Sequence, residues 1–254
     1  MKKKFIDVPF LPKEDVATVI VDGRTSSTIM NNLYNKAIHI IKTPLCNDIY
    51  DAIKGHPDLL LHPVTSQDIV VAPNVYKQLK DPLEALGCNI IKGRTVLKRN
   101  YPDNIAYNIA RVSNFAIHNF NYTDRCTLEL LERKEIKRIH VKQGYSKCSI
   151  CIVNDHAIIT SDRGIAKAVE KHGIEVLTIA PGYIDLPGLD YGFIGGTSGL
   201  IGKNKLAFSG YLEHHSDYAE ILYFLKRHNV AEIFLSKDKP MDIGSIIPLL
   251  EMVY

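Results

Sequence analysis

The feature that most constrains this 254-residue chain is a structural period hidden beneath low internal identity. Short apolar runs at 17–21, 68–72, 115–118, 156–160 and 205–208 stand at comparable points along the sequence. With Thr18, Ile69, Ala116, Ala157 and Leu206 as markers, they lie 51, 47, 41 and 49 residues apart. A period of this size means one supersecondary unit used repeatedly, here five times.

The order of signals inside each unit is constant. The opening strand runs into a polar loop such as 121–124 or 160–162, whose Asp124 or Asp162 is a natural helix N-cap. A helix follows: Ile165, Ala168 and Val169 fall on one face before Gly173, and Tyr218, Ile221, Leu222 and Leu225 do the same before Asn229. Second strands are expected at 37–41, 88–91, 138–141, 175–179 and 232–235. A strand, helix, strand passage of that length makes a parallel pair with a right-handed crossover. A third extended stretch is expected at 58–64, 104–112, 147–153, 191–201 and 243–252. The first four end in turn chemistry directly before the next unit, so each forms a hairpin with it. The fifth has no successor, yet Ile246, Ile247, Leu249 and Leu250 would form an exposed sticky edge if left unpaired. The expectation is that it pairs with the first unit's 18–21 strand and closes a ring. The fold class is therefore α/β, a five-fold pseudo-symmetric α/β propeller of one domain, residues 1–254, with units near 15–66, 67–113, 114–154, 155–203 and 204–254.

Composition narrows the function classes. Apolar residues make up 46% of the chain, enough for a packed core and too many for a disordered one. Lys and Arg number 31 against 28 Asp and Glu, a net charge of +3 that argues against a dedicated nucleic-acid binder. No apolar run reaches the ~18 residues of a membrane helix, and the basic start at 1–4 meets Pro9 before a secretory core can form. Five cysteines, sparse and odd in number, read as free thiols in a reducing compartment. The expected location is the cytoplasm.

A closed ring of five such units, with Gly192-Phe193-Ile194-Gly195-Gly196-Thr197-Ser198-Gly199 and the closing Asp242-Ile243-Gly244-Ser245, resembles the pentein fold of the guanidino-group-modifying enzymes, in a bacterial branch. The resemblance covers nearly the whole chain. In such a ring the starts of the third strands face one another, and polar groups there need partners or a ligand. Those residues are His56 and Asp58; Asn104 and Asn108; Lys147, Cys148 and Ser149; Thr197 and Ser198; and Asp242 and Ser245. Asp58 and Asp242 would offer planar acceptors to a guanidinium, or else cap turns. The partner class implied is a small guanidino or amino-acid-like molecule, with no cofactor and no metal.

The resemblance also implies a Cys nucleophile in the last unit beyond a glycine pair, and a His from the fourth. This chain has Gly244-Ser245 at the first place and Gly195-Gly196-Thr197-Ser198 at the second. A rearranged hydrolase or amidinotransferase-like site would use Cys148 as nucleophile, its thiol acidified by Lys147, with His56 as proton shuttle. The competing readings are that Cys148 is a small buried hydrophobe on a strand, and that the ring is a noncatalytic binder of a macromolecule, ribosome-associated or scaffolding. Cys148 and Cys151 have zinc-knuckle spacing, but on a strand they point to opposite faces. Three further groups have everyday explanations. His214 and His215 suit a solvated helix start, Arg24, Arg125 and Arg163 suit solvated loops, and Tyr183, Tyr191 and Phe193 suit pocket walls or core. Oligomeric state is left open.

Overall fold

The polar loops do begin the outer helices. Ser26 Oγ accepts from the Ile29 amide at 3.4 Å, Asp124 from Thr127 at 3.2 Å and Asp162 from Ile165 at 2.9 Å. Each cap satisfies an amide that the first helical turn leaves without a partner. The structure, a computed structural model, describes residues 2–254; Met1, part of the basic start, lies outside them.

The first unit contains β1 (Lys2–Phe5), β2 (Val16–Asp22), α1 (Ser27–Tyr34) and β3 (His39–Thr43), then a helical turn α2 (Pro57–Leu60) and β4 (Leu61–Pro63). The second continues with β5 (Asp68–Val71), α3 (Tyr76–Glu84), β6 (Asn89–Lys92) and β7 (Ala110–Val112). The third has β8 (Phe115–His118), α4 (Arg125–Arg133), β9 (Lys137–His140), a second helical turn α5 (Ser146–Ser149) and β10 (Cys151–Ile152). The fourth has β11 (Ala157–Thr160), α6 (Arg163–Glu170), β12 (Glu175–Thr178) and β13 (Ser198–Gly202). The fifth has β14 (Lys205–Phe208), α7 (Tyr218–Arg227), β15 (Ala231–Phe234) and β16 (Ile247–Val253).

Five sheets result, each joining the last strand of one unit antiparallel to the first strand of the next, which pairs in parallel with its second strand. Ring closure follows the same rule. β16 runs antiparallel to β2, with Ile247 opposite Ile20 and Pro248 opposite Val19, and the register shifts just after the proline. A proline cannot donate to the ladder, so an irregularity at that point is its natural place. β1 adds a strand that the sequence pattern does not announce: Lys2 to Phe5 pair with Val253 to Leu250 and cover the far edge of β16.

The helices bury one face each against these sheets, Ile29 and Leu33 on α1, Leu79 and Leu83 on α3, Ile165 and Val169 on α6, Ile221 and Leu225 on α7. Each such side chain contributes about 1.5–3 kcal/mol of transfer free energy. The third strands are shorter than expected. Residues 57–60 and 146–149 are helical turns, and regular pairing begins only at Leu61 and Cys151. Pro57 explains the first, because a proline at the opening position of a helix has its fixed φ already set and no amide to lose. Cys148 therefore sits on a helical turn and not on a strand.

Candidate active site

The turns that precede the third strands carry the polar residues inward. His56 is the N-cap of α2 and Asp58 lies in its first turn; Lys147 and Cys148 lie on α5; Asp242 and Ser245 precede β16. All six are buried. Glycines make this crowding feasible. A Cβ on Gly192 or Gly196 would overlap Asp242, and one on Gly244, at φ +66°, would overlap His56.

Cys148 Sγ donates to Asp58, 3.2 Å from Oδ2 and 3.3 Å from Oδ1. Ser245 Oγ donates to the same carboxylate at 2.6 Å and receives Lys147 Nζ at 2.8 Å. Asp242 accepts the amides of Phe193 and Gly244, both at 2.9 Å, and its Oδ1 lies 3.7 Å from His56 Nδ1. Both ring nitrogens of His56 are without a hydrogen-bond partner. One donor atom each from His56, Cys148 and Asp242 lie within 4.8 Å of one another, which makes these three the residues that could hold a metal ion.

Burial sets the electrostatics. It pushes the Cys148 thiol well up, and the carboxylates of Asp58 and Asp242 push it further. It raises Asp242 as well, against the pull of His56 and with a further push from Asp58. Burial lowers Lys147, while Asp58 and Cys148 hold it up. The expectation that Lys147 acidifies Cys148 is corrected here: its ammonium turns to Ser245 and the Gly195 carbonyl, and the thiol faces carboxylates.

Other sequence-derived residues are committed to protein groups. Asn108 receives the Lys147 and Cys148 amides on its side-chain oxygen, at 2.7 and 3.2 Å, and its Nδ2 meets the Asp58 carbonyl and Cys148 Sγ, both at 3.2 Å. Asn104 accepts the Tyr145 hydroxyl at 3.0 Å and donates to the Arg99 carbonyl. Thr197 and Ser198 turn their hydroxyls to the carbonyls of Ile194 and Gly195. Elsewhere, His215 is buried with its ring 4.7 Å from that of Tyr183, and not solvated. Arg24 is held by Asp22 and the Asp51 and Ala52 carbonyls.

Cys148 forms the floor of a pocket of about 280 Å³. Tyr50, Tyr145, Tyr191 and Phe193 wall it, and Leu186, Leu189 and Asp190 come from the long connection between β12 and β13. A second pocket, of about 330 Å³, reaches Asp242 from the other side of Leu186. A larger cleft of about 870 Å³ between α1 and the end of β15 contains none of the central residues. Sequence reasoning missed Tyr50, Tyr145 and Asp190. Tyr145, three residues before Cys148, was the one with a usable signal, since the start of a helical turn presents both to one side.

The chain is similar in fold to guanidino-modifying enzymes. An inosamine-phosphate amidinotransferase from Streptomyces griseus superposes with a TM-score of 0.60 at 9% identity, over 98% of each chain. DDAH from Pseudomonas aeruginosa, complexed with citrulline, gives 0.56 at 9% identity, over 87% of this chain and 92% of that one. An agmatine deiminase from C. jejuni gives 0.53 at 11% identity, over 92% and 90%. No curated protein matches in sequence. The architecture is that of the penteins, and a family profile matches residues 20–247: the chain belongs to the family of unknown function DUF6873.

Proposed function

We propose that this protein binds a small guanidino compound and breaks one of its C–N bonds through a covalent intermediate on Cys148. The observation that carries this is the Cys148 thiol on Asp58 at the floor of an aromatic pocket, with Asp242 and an unpartnered His56 beside it. Two buried carboxylates against one buried lysine leave the centre one positive charge short, and a guanidinium supplies it in a planar form that carboxylates recognise.

The charge of a bound guanidinium offsets the carboxylates that hold the proton on sulfur. The thiol proton passes to a free nitrogen of His56, the thiolate adds to the guanidinium carbon, and the C–N bond to the departing amine breaks as His56 returns the proton to it. The amidino carbon is then bound to the Cys148 sulfur as an S-alkylthiouronium. Attack by water releases a ureido product and restores the thiol; attack by a second amine transfers the amidino group. Asn108 and Ser245 hold Cys148 and Asp58 in register, and Asp58 with Asp242 clamp the cation.

The pocket wall also bears on the rest of the ligand. Its lining has four aromatic rings, one carboxylate at Asp190 and no cationic side chain. Aromatic faces and a carboxylate favour a second cationic group over a carboxylate. The ligand class is therefore a guanidino amine such as agmatine, ahead of an amino acid such as arginine.

The test is incubation with agmatine, arginine and methylated arginines, following ammonia, urea and ureido products. Turnover that vanishes in Cys148→Ser supports the reading. No turnover of any of them, together with ligand-induced thermal shifts that are the same in Cys148→Ser, overturns it.

A further inference from the structure

We propose that His56, Cys148 and Asp242 also form a site for a zinc-class divalent ion, a ligand that competes with the guanidino compound for the same side chains. The inference rests on the geometry of that centre and not on its turnover.

The donor set is one imidazole nitrogen, one sulfur and one carboxylate oxygen, all within 4.8 Å of one another and all buried. Zinc and cobalt take such mixed sets in tetrahedral form, with donors about 2.0–2.3 Å from the ion. Donors around such an ion lie roughly 3.3–3.8 Å apart by the same geometry, so a closure of about an ångström completes the site. His56 provides the independent sign that something belongs there. Its ring is 1% exposed and both nitrogens lack a hydrogen-bond partner, the Asp242 carboxylate standing 3.7 Å from Nδ1, beyond hydrogen-bond reach. A buried imidazole in that state forfeits its hydrogen bonds unless a ligand takes a lone pair.

The surroundings fit the ion in two further respects. Asp242 is oriented by the Phe193 and Gly244 amides and Cys148 Sγ by Asn108 Nδ2, contacts of the kind that fix ligand direction around metals. Charge also balances. When the ion binds, Cys148 loses its proton to solvent and its sulfur donates a lone pair; thiolate, Asp58 and Asp242 then carry three negative charges against Lys147 and a divalent ion. Cys148 lines the 280 Å³ pocket, and a water or a ligand heteroatom entering there would supply the fourth donor. No electron transfer is involved.

The experiment uses full-length protein stripped with a chelator and titrated with Co²⁺. Expected are one equivalent bound, the visible spectrum of a four-coordinate ion, a near-ultraviolet thiolate-to-cobalt band, and displacement by Zn²⁺. In Cys148→Ser the band disappears, and in Cys148→Ser and His56→Ala affinity falls about 100-fold or more. A folded wild-type protein that shows no thiolate band overturns the inference, whatever the variants do. So does binding of undiminished affinity in both variants. Turnover by the metal-free protein is a separate readout: a correct cobalt spectrum, with no guanidine processed by the stripped protein and ligand-induced thermal shifts unchanged in Cys148→Ser, keeps the metal site and removes the enzyme.

Discussion

Cys148 Sγ and Asp58 Oδ2 meet at 3.2 Å across 90 residues of chain, and the carboxylate is the acceptor. Burial first, and this carboxylate with it, keeps the thiol protonated at rest. Replacing Asp58 by Asn removes the negative charge while keeping the shape, so the thiol should ionise more readily. The expected outcome is faster alkylation of Cys148 by iodoacetamide at neutral pH than in the wild-type protein. An unchanged rate would mean that burial alone governs the thiol.

Gly196 allows the fourth unit to lie directly against Asp242, where a Cβ would collide with the carboxylate. Gly196→Ala should abolish guanidine-induced thermal stabilisation by displacing that clamp. Gly173→Ala is the matched control: φ is +77° but the space is open, so about 1 kcal/mol of strain is expected with binding intact.

Asp190 is the charge at the pocket wall. Asp190→Lys should weaken agmatine and strengthen arginine, reversing their order in a competition assay. If the order stays the same, the tail of the ligand does not lie against this wall.

Glu251 on β16 is fully buried, and its Oε2 receives the amides of Lys13 at 2.6 Å and Glu14 at 3.0 Å, with Lys4 on its other oxygen. Glu251→Ala leaves two amides without partners at the ring seam. Urea unfolding should show a loss of about 2–4 kcal/mol.

Stability should fall on both sides of neutrality. Burial pushes the thiols of Cys88 and Cys151 up to about 11 from 9.0, so the unfolded chain holds fewer protons between those values and the native state loses stability as pH rises through them. Burial lowers His118 from 6.5 to about 4, and His62 is lowered too. There the unfolded chain holds more protons, so stability falls as pH drops from 6.5 to 4. Thermal melts across the range should trace this asymmetric dome.

The ring was legible because each unit must bury the same strand and helix faces, which leaves a period in the apolar residues even where identity is lost. Closure was legible from β16, whose Ile247, Leu249 and Leu250 need a partner. The convergence of His56, Asp58, Cys148 and Asp242 followed from that topology. What the sequence hid was local direction. Asp58, Leu59, Leu60 and Leu61 are all buried, so neither a two-residue nor a 3.6-residue period separates turn from strand. Lys147 was misread because adjacency in sequence suggested proximity of charge, whereas consecutive residues on a helical turn point apart. β1 was hidden by its lysines, which suit an edge strand and conceal its pairing.

The wedging of β16 between β1 and β2 makes assembly of the centre wait for β16. Cys148 and Asp58 are translated long before Asp242 and Ser245, and they acquire these neighbours only when β16 docks between β1 and β2. A nascent chain held on the ribosome short of β16 thus has a thiol without its finished enclosure, and the reactivity of Cys148 serves as a clock for completion of the ring.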